Sequence, residues 1–398
     1  MKMFAVRGLV AVCTLAMVPH AQVWAQGGGG GRGGGAARPE FPTPAQFAQS
    51  AQAQKHVAKA LAMAQPDLVA EATMFCTATG PQRPALARQQ AGQPQAPDAP
   101  VEPTRVFDNV WYLGFRSQNA WAIKTSAGII LIDTLNSTEE ARDVLVPSLT
   151  KVGMDPAQIK YIIVLHGHPG QTDHTGGASY LQATYGATVM MAAADWDLVL
   201  PAQKPEKPLA RRDMDAKDGQ RLTLGDTTVT LALTPGHTPG SMAVIVPTAW
   251  NGTPVTAMFM GGTQMPTRQS VAAFEHVFTN LAKELDVQSF LGSHAGVLQD
   301  TLAGLDTLRN TPTAPHPFLY GPQRFARYMD IMLECGRARV AALEDAANAS
   351  PRGTVIPHLI PGRGIPPRGV AHRLQMAQYA RSSRLAIRAP RPGLSSPW

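Results

Sequence analysis

This chain has very little cysteine, no apolar stretch long enough to cross a bilayer, and no internal repeat. Its 398 residues hold three cysteines, Cys13, Cys76 and Cys335, so at most one intramolecular disulfide can form. The apolar segment at residues 8–19 falls short of the ~20 residues a spanning helix needs, and no other stretch reaches that length, so no stable membrane span is expected. The lack of self-similarity at a solenoid period excludes a repeat architecture. Acidic residues are also missing from residue 350 onward, where there are eight arginines and no Asp, Glu or Lys. The formal net charge of +7 therefore sits in that tail, and the rest of the chain is close to neutral. A nucleic-acid role would have to be carried by the tail. Its prolines and glycines (PHLIPGRGIPPRG) read instead as a solvated, disordered extension, and no nucleic-acid partner is expected.

Residues 1–25 read as a secretory signal: Lys2 and Arg7, then the apolar run, then Val23, Trp24 and Ala25 at a small-residue cleavage site. Export to a periplasm or to the outside of the cell follows. Cys13 leaves with the signal. Cys76 and Cys335 either pair, as an oxidising compartment allows, or stay as two unpaired buried thiols. Residues 26–104 read as a Gly/Pro-rich linker bearing one N-terminal helix, which starts at Pro44 with Thr43 as N-cap and runs through Phe47, Val57 and Leu61. A catalytic domain is expected over 105–295, a C-terminal helical extension over 296–349 with its helix at 324–347, and the basic tail over 350–398.

Within 105–295 strand and helix patterns intermix. VFDNVWYLGF (106–115) and NAWAIKTSAGIILID (119–133) read as strands joined by short turns, and a helix follows at 138–149. Residues 159–165 read as a buried strand, and 176–185 as a helix stopped by Gly186. Turns at Gly225-Asp226 and Asn251-Gly252 each sit between strand-like runs and predict two hairpins. A helix over 270–285 leads into a last strand ending at His294. The pattern predicts an α+β fold, an αββα sandwich of two mixed β-sheets flanked by helices.

Six residues over that stretch carry metal-ligand chemistry: His166, His168, Asp173, His174, His237 and His294. The first four lie in HGHPGQTDH after the buried strand, the fifth in TPGHTPG and the sixth in LGSHAG, each after a strand-like run. A strand that stops at a histidine holds it on a rigid edge. Imidazole nitrogen and carboxylate oxygen suit Zn²⁺ and leave room for a water. Gly167 and Gly177 permit tight turns between these ligands. Asp133, closing its strand, is either a residue that fixes the histidine loop from behind or a simple turn residue. His56, His276, His316, His358 and His372 lack such context and read as non-ligands.

The order strand-Asp133, strand-HxH…DH, TPGH, strand-His resembles the metallo-β-lactamase superfamily over about residues 105–295. The resemblance implies two Zn²⁺ per chain, one held by His166, His168 and His237, the other by Asp173, His174 and His294. It implies a hydroxide between them that attacks a carbonyl, with Asp173 orienting it and relaying its proton. Many hydrolytic members place an Asp bridging both metals after the strand ending at Met260; here Gly261 and Gly262 stand in its place. That absence, with a His-rich second set and no cysteine ligand, resembles the third subclass of zinc β-lactamases. The serine that this subclass commonly carries near the glycine pair is missing. The family spacing HxHxDH is also broken, by the three extra residues Gly170, Gln171 and Thr172. They either bulge outward and leave the ligands in place, or displace Asp173 and His174, or bring Gln171 into a ligand position.

The expectation is an exported zinc-dependent hydrolase acting on a small-molecule substrate, with the β-lactam ring, a cyclic amide, as first choice. Alternatives are another ester, lactone or thioester, or a non-catalytic binding protein on a degenerate scaffold.

Overall fold

The computed structural model describes residues 41–81, 98–297 and 300–349. The expected signal, the glycine-rich segment at 26–37, most of the proline-rich connector and the basic tail lie outside the described residues.

Thr43 caps α1 (Pro44–Gln49) in a reciprocal capping box with Gln46. The single helix expected here breaks at Ser50. That residue adopts extended backbone and caps α2 (Ala51–Phe75) through its hydroxyl. A second break falls at Gln65 (φ 51°) before Pro66, because proline disfavours a helical residue ahead of it.

The first sheet contains β1 (Thr104–Phe107), β2 (Val110–Gly114), β3 (Asn119–Thr125), β4 (Gly128–Ile132), β5 (Ile159–Ile163), β6 (Thr188–Ala192) and β7 (Met214–Ala216), side by side in that order. β1 to β4 pair antiparallel and β4 to β7 parallel. The second sheet is ordered β12-β11-β10-β9-β8, from β8 (Arg221–Leu224), β9 (Thr227–Leu233), β10 (Met242–Trp250), β11 (Thr253–Met260) and β12 (Val287–Gly292). Only β11 and β12 pair parallel there. Both sheets are therefore mixed, as the sequence predicts.

Alternation along the strands builds the layers. On β10, Met242, Val244 and Val246 point into the space between the sheets with Trp121, Ile130, Ile163 and Phe259. Ala243 and Ile245 point to the other face, against Leu68, Phe274, Tyr328 and Met332. That outer face is covered by α2, by the helical run 268–284 (α6) and by α8 (Pro322–Ala349). The outer face of the first sheet packs on the helical run 138–151 (α3), α4 (Ala178–Tyr185) and α5 (Ala193–Val199), through Leu131, Ile162 and Val189 against Leu145, Leu181 and Trp196. α7 (Thr301–Asn310) completes the set. The result is the αββα sandwich.

The N-terminal helix and the C-terminal extension are integral to this unit rather than appended to it. Cys76 and Cys335 form a disulfide, which resolves the choice left open by sequence. Asp67 pairs with Arg324 and Arg327, and Ser50 donates to Asp345 at 2.6 Å, so α2 and α8 are joined along their length. No helix among the described residues is long and apolar enough to cross a membrane.

Candidate metal centre

The site lies at one end of the sandwich, where strands of both sheets terminate. Past β5 the chain continues through Val164 and Leu165 to His166. Leu165 joins the two sheets: its carbonyl accepts from Met242 N at 3.0 Å, and the Met242 carbonyl accepts from Gly261 N at 3.1 Å. His237 lies in the loop between β9 and β10, closed by Thr234 N donating to the Ser241 carbonyl at 2.7 Å. His294 follows β12 by two residues. The carbonyl of Gly292 accepts from Asn119 Nδ2 at 3.1 Å and Trp121 Nε1 at 3.0 Å, so the first sheet pins the end of that strand.

All six sequence-predicted ligands come together. His166, His168 and His237 offer ligand atoms within 4.8 Å of one another, and the Nε2 atoms of His168 and His237 face each other at 3.0 Å. A second tight group holds His166, Asp173 and His174, again within 4.8 Å. His166 thus belongs to both groups. The His166 and His174 rings lie only 3.9 Å apart, which sets His166 between the two groups. The His294 ring stands 4.8 Å from that of His174 and borders the same cavity.

The donor set fits a metal ion. His166 is fully buried, and neither of its ring nitrogens has a hydrogen-bond partner, an arrangement that is costly unless something else satisfies them. Burial, and then the neighbouring histidines led by His174, hold its pKa well below the usual imidazole value. The ring is therefore neutral, the form that ligates.

Asp133 is fully buried behind His174. Its Oδ1 accepts from Leu165 N at 2.9 Å and its Oδ2 is 2.8 Å from His174 Nδ1. A carboxylate there accepts, so Nδ1 carries the proton and Nε2 is left to face the cluster. The backbone of Asp133 has φ 60°, a left-handed conformation that Asp and Asn tolerate best after glycine.

The three extra residues form a turn. Gln171 N donates to the His168 carbonyl at 3.2 Å, Gly170 takes φ 70°, and Thr172 Oγ1 donates to the Asn136 carbonyl at 2.7 Å. Asp173 and His174 stay beside His166, and Gln171 borders the cavity. Gly261 and Gly262 are glycine because the chain passes too close to the ligand strands for a side chain. A Cβ at 261 would lie 2.7 Å from Leu165 Cβ, and one at 262 would lie 2.5 Å from His237 Cβ.

The cavity over this cluster measures about 270 Å³. Alongside the ligands it is bordered by Thr263, Gln264 and Ser293, and by Phe41, Thr79 and Pro81 from the N-terminal segment. Sequence reasoning missed those last three, because nothing local ties the segment ahead of the sandwich to side chains so much further along the chain. It also missed Gln118, whose amide donates to the Asp173 carbonyl and lies 3.4 Å from His174 Nδ1. A fifth omission is Asp195, a fully buried carboxylate in the first turn of α5.

Residues 113–248 match the family model of the metallo-beta-lactamase superfamily. The fold is the metallo-beta-lactamase fold, and the match together with the converging side chains supports a metal-dependent hydrolase. Among solved structures the chain is similar to BJP-1, a subclass B3 metallo-beta-lactamase of Bradyrhizobium japonicum, at 29% identity over 63% of this chain and 97% of that one, with TM-score 0.50. It is also similar in fold to FEZ-1 from Legionella gormanii, at 21% identity over 64% and 98%, with TM-score 0.52. A third is MEM-A1, a subclass B3 enzyme from a soil metagenome library, at 24% identity over 63% and 98%, with TM-score 0.51. The resemblance carried by the motifs therefore stands: residues 113–248 match the superfamily's model, and the fold is similar to that of subclass B3 metallo-beta-lactamases.

Proposed function

We propose that this chain is an exported hydrolase that holds two zinc ions and opens the β-lactam ring. The observation that carries the reading is the donor set: a histidine-rich pair of groups, no cysteine, and glycines at 261 and 262 where a bridging carboxylate has no room. BJP-1, at 29% identity, is a metallo-beta-lactamase with which that arrangement is compatible. Export rests on the leader-like residues 1–25 and is compatible with the Cys76–Cys335 disulfide.

His166, His168 and His237 would hold one ion, and Asp173, His174 and His294 the other, with His166 close to both groups. Zinc supplies Lewis-acid polarisation of a carbonyl and acidification of water toward a pKa of ~7. The chain's own residues do the rest. Asp133 fixes the His174 tautomer. The Asp173 carboxylate borders the cavity, where it can take a proton from an attacking water and return it to a leaving nitrogen. The strand ends hold the ligand rings before substrate arrives, so little reorganisation remains at the moment of reaction.

A second reading, hydrolysis of a lactone, ester or thioester, is favoured by the cavity wall. No Lys or Arg borders it among the described residues, so none of these offers a cation to a substrate carboxylate. A panel of a chromogenic cephalosporin, a lactone and a thioester, each with and without chelator, separates the readings. Chelator-sensitive cephalosporin turnover, restored by zinc, is the expected result. Turnover of the lactone or thioester alone would replace the first reading with the second. Zinc binding without any turnover would leave a binding protein on this scaffold.

A further inference from the structure

We infer that Asp195 is the positioning residue for the three-histidine group, holding its two loops in register from behind. The inference rests on the metal reading above.

The geometry is specific. Asp195 follows β6 in the first turn of α5 and is fully buried. Its Oδ2 accepts from Gly167 N at 2.9 Å and from Thr238 Oγ1 at 2.6 Å, and its Oδ1 accepts from Gly240 N at 2.7 Å. Gly167 is the residue between His166 and His168. Thr238 directly follows His237, and Gly240 closes the same loop. One carboxylate therefore joins the loop that supplies two histidines to the loop that supplies the third. Hydrogen bonds to an ionised acceptor are roughly twice as strong as neutral ones, so such a clamp defines position as well as adding stability.

Both loops are shaped to reach it. A Cβ at Gly240 would lie 2.7 Å from Asp195 Cγ, and a Cβ at Gly167 would lie 2.7 Å from Val199 Cγ1, on the same helix. Each loop meets α5 with a glycine, and neither could approach with a side chain there. Thr238 is held in turn by Ser241, whose Oγ accepts from Thr238 N at 2.9 Å and lies 2.8 Å from Thr238 Oγ1. The clamp's hydrogen bonds go to Gly167 N, Gly240 N and the Thr238 hydroxyl, beside the rings rather than on them. It acts on the backbone that aims the rings, and so differs from Asp133, which touches His174 itself. Outer groups that orient metal ligands typically change metal affinity by about 10- to 100-fold when altered.

Asp195→Asn tests this. It preserves size, but an amide NH₂ must then face at least one of the donors Gly167 N, Thr238 Oγ1 or Gly240 N. Zinc affinity is measured by competition with a chromophoric chelator, and the ligand field is read from the visible bands of the cobalt-substituted protein. Thermal unfolding of the chelated protein is followed alongside. The expected result is a loss of about 10- to 100-fold in affinity at one of the sites, altered cobalt bands, and a metal-free melting temperature within a few degrees of the parent. Thr238→Val removes one of the three donors and should give a smaller loss in the same direction. It also serves as the probe if Asp195→Asn does not fold. Parent-like affinity and bands in the folded variants would overturn the inference while leaving the metal reading intact. So would a loss of affinity fully matched by a loss of metal-free stability. A parent protein that binds no zinc would overturn both.

Discussion

Asp133→Asn should unseat one metal while leaving the fold in place. Asparagine accepts the left-handed backbone at this position (φ 60°) about as well as aspartate, so the main chain is not perturbed. Its Oδ1 can keep the 2.9 Å hydrogen bond from Leu165 N. Its NH₂ must then face His174 Nδ1, now 2.8 Å from a carboxylate oxygen. An NH₂ donates, so the ring is driven to carry its proton on Nε2, the nitrogen that faces the cluster, and a protonated nitrogen cannot ligate. The lost charge-assisted hydrogen bond costs about 1.5–3 kcal/mol, and metal affinity should fall by about 10- to 100-fold. The assay is a zinc titration against a competing chelator, with circular dichroism to verify the fold. A variant that folds and retains both parent affinities would refute the assignment of Asp133 as the residue that sets the His174 tautomer.

His237→Ala should remove one zinc and nearly all turnover, because two histidines remain where three protein ligands are needed; elemental analysis and a chromogenic cephalosporin check it. Phosphodiester cleavage should be negligible beside carbonyl hydrolysis, since Gly261 and Gly262 leave no room for a bridging carboxylate that would hold two metals close. Robust phosphodiesterase activity lost in His294→Ala would contradict this. Excising Gly170 to Thr172 restores HGHPDH but also removes the Thr172–Asn136 hydrogen bond and the cavity contact of Gln171. Because the turn already leaves Asp173 and His174 beside His166, affinity should stay close to that of the parent. Much tighter binding after excision would show the extra residues to be damaging, and loss of all zinc would show them to be essential.

Much of the fold was legible because it rests on local chemistry. The Asn251-Gly252 turn takes φ 50° and 78°, the pair of left-handed residues that a tight hairpin demands, and β10 and β11 pair across it in full register. Gly186 stops α4 with φ 70° as expected. The six candidate ligands stood out because strand-end histidines in that order are rare by chance, and the structure brings them together. Other features were less legible. The expected strand over 106–115 divides at Asp108–Asn109 into β1 and β2, a turn hidden by the apolar residues on both sides. β6, with its run TVMMA, lacks the alternation that marks a strand, because both of its faces are buried. Nothing in the sequence around Asp195 singles it out. Its partners are 28 and 43 or more residues away, in loops whose meeting depends on both sheets. The Phe41, Thr79 and Pro81 border of the cavity follows from α2 packing on α8, a long-range contact that no local pattern announces.

The central claim is that these two groups of side chains hold metal. Elemental analysis of the purified chain after exhaustive dialysis, with circular dichroism on the same sample, tests it most directly. The account predicts close to two zinc ions per chain, one at His166, His168 and His237 and the other at Asp173, His174 and His294. A folded chain that retains no zinc would contradict it.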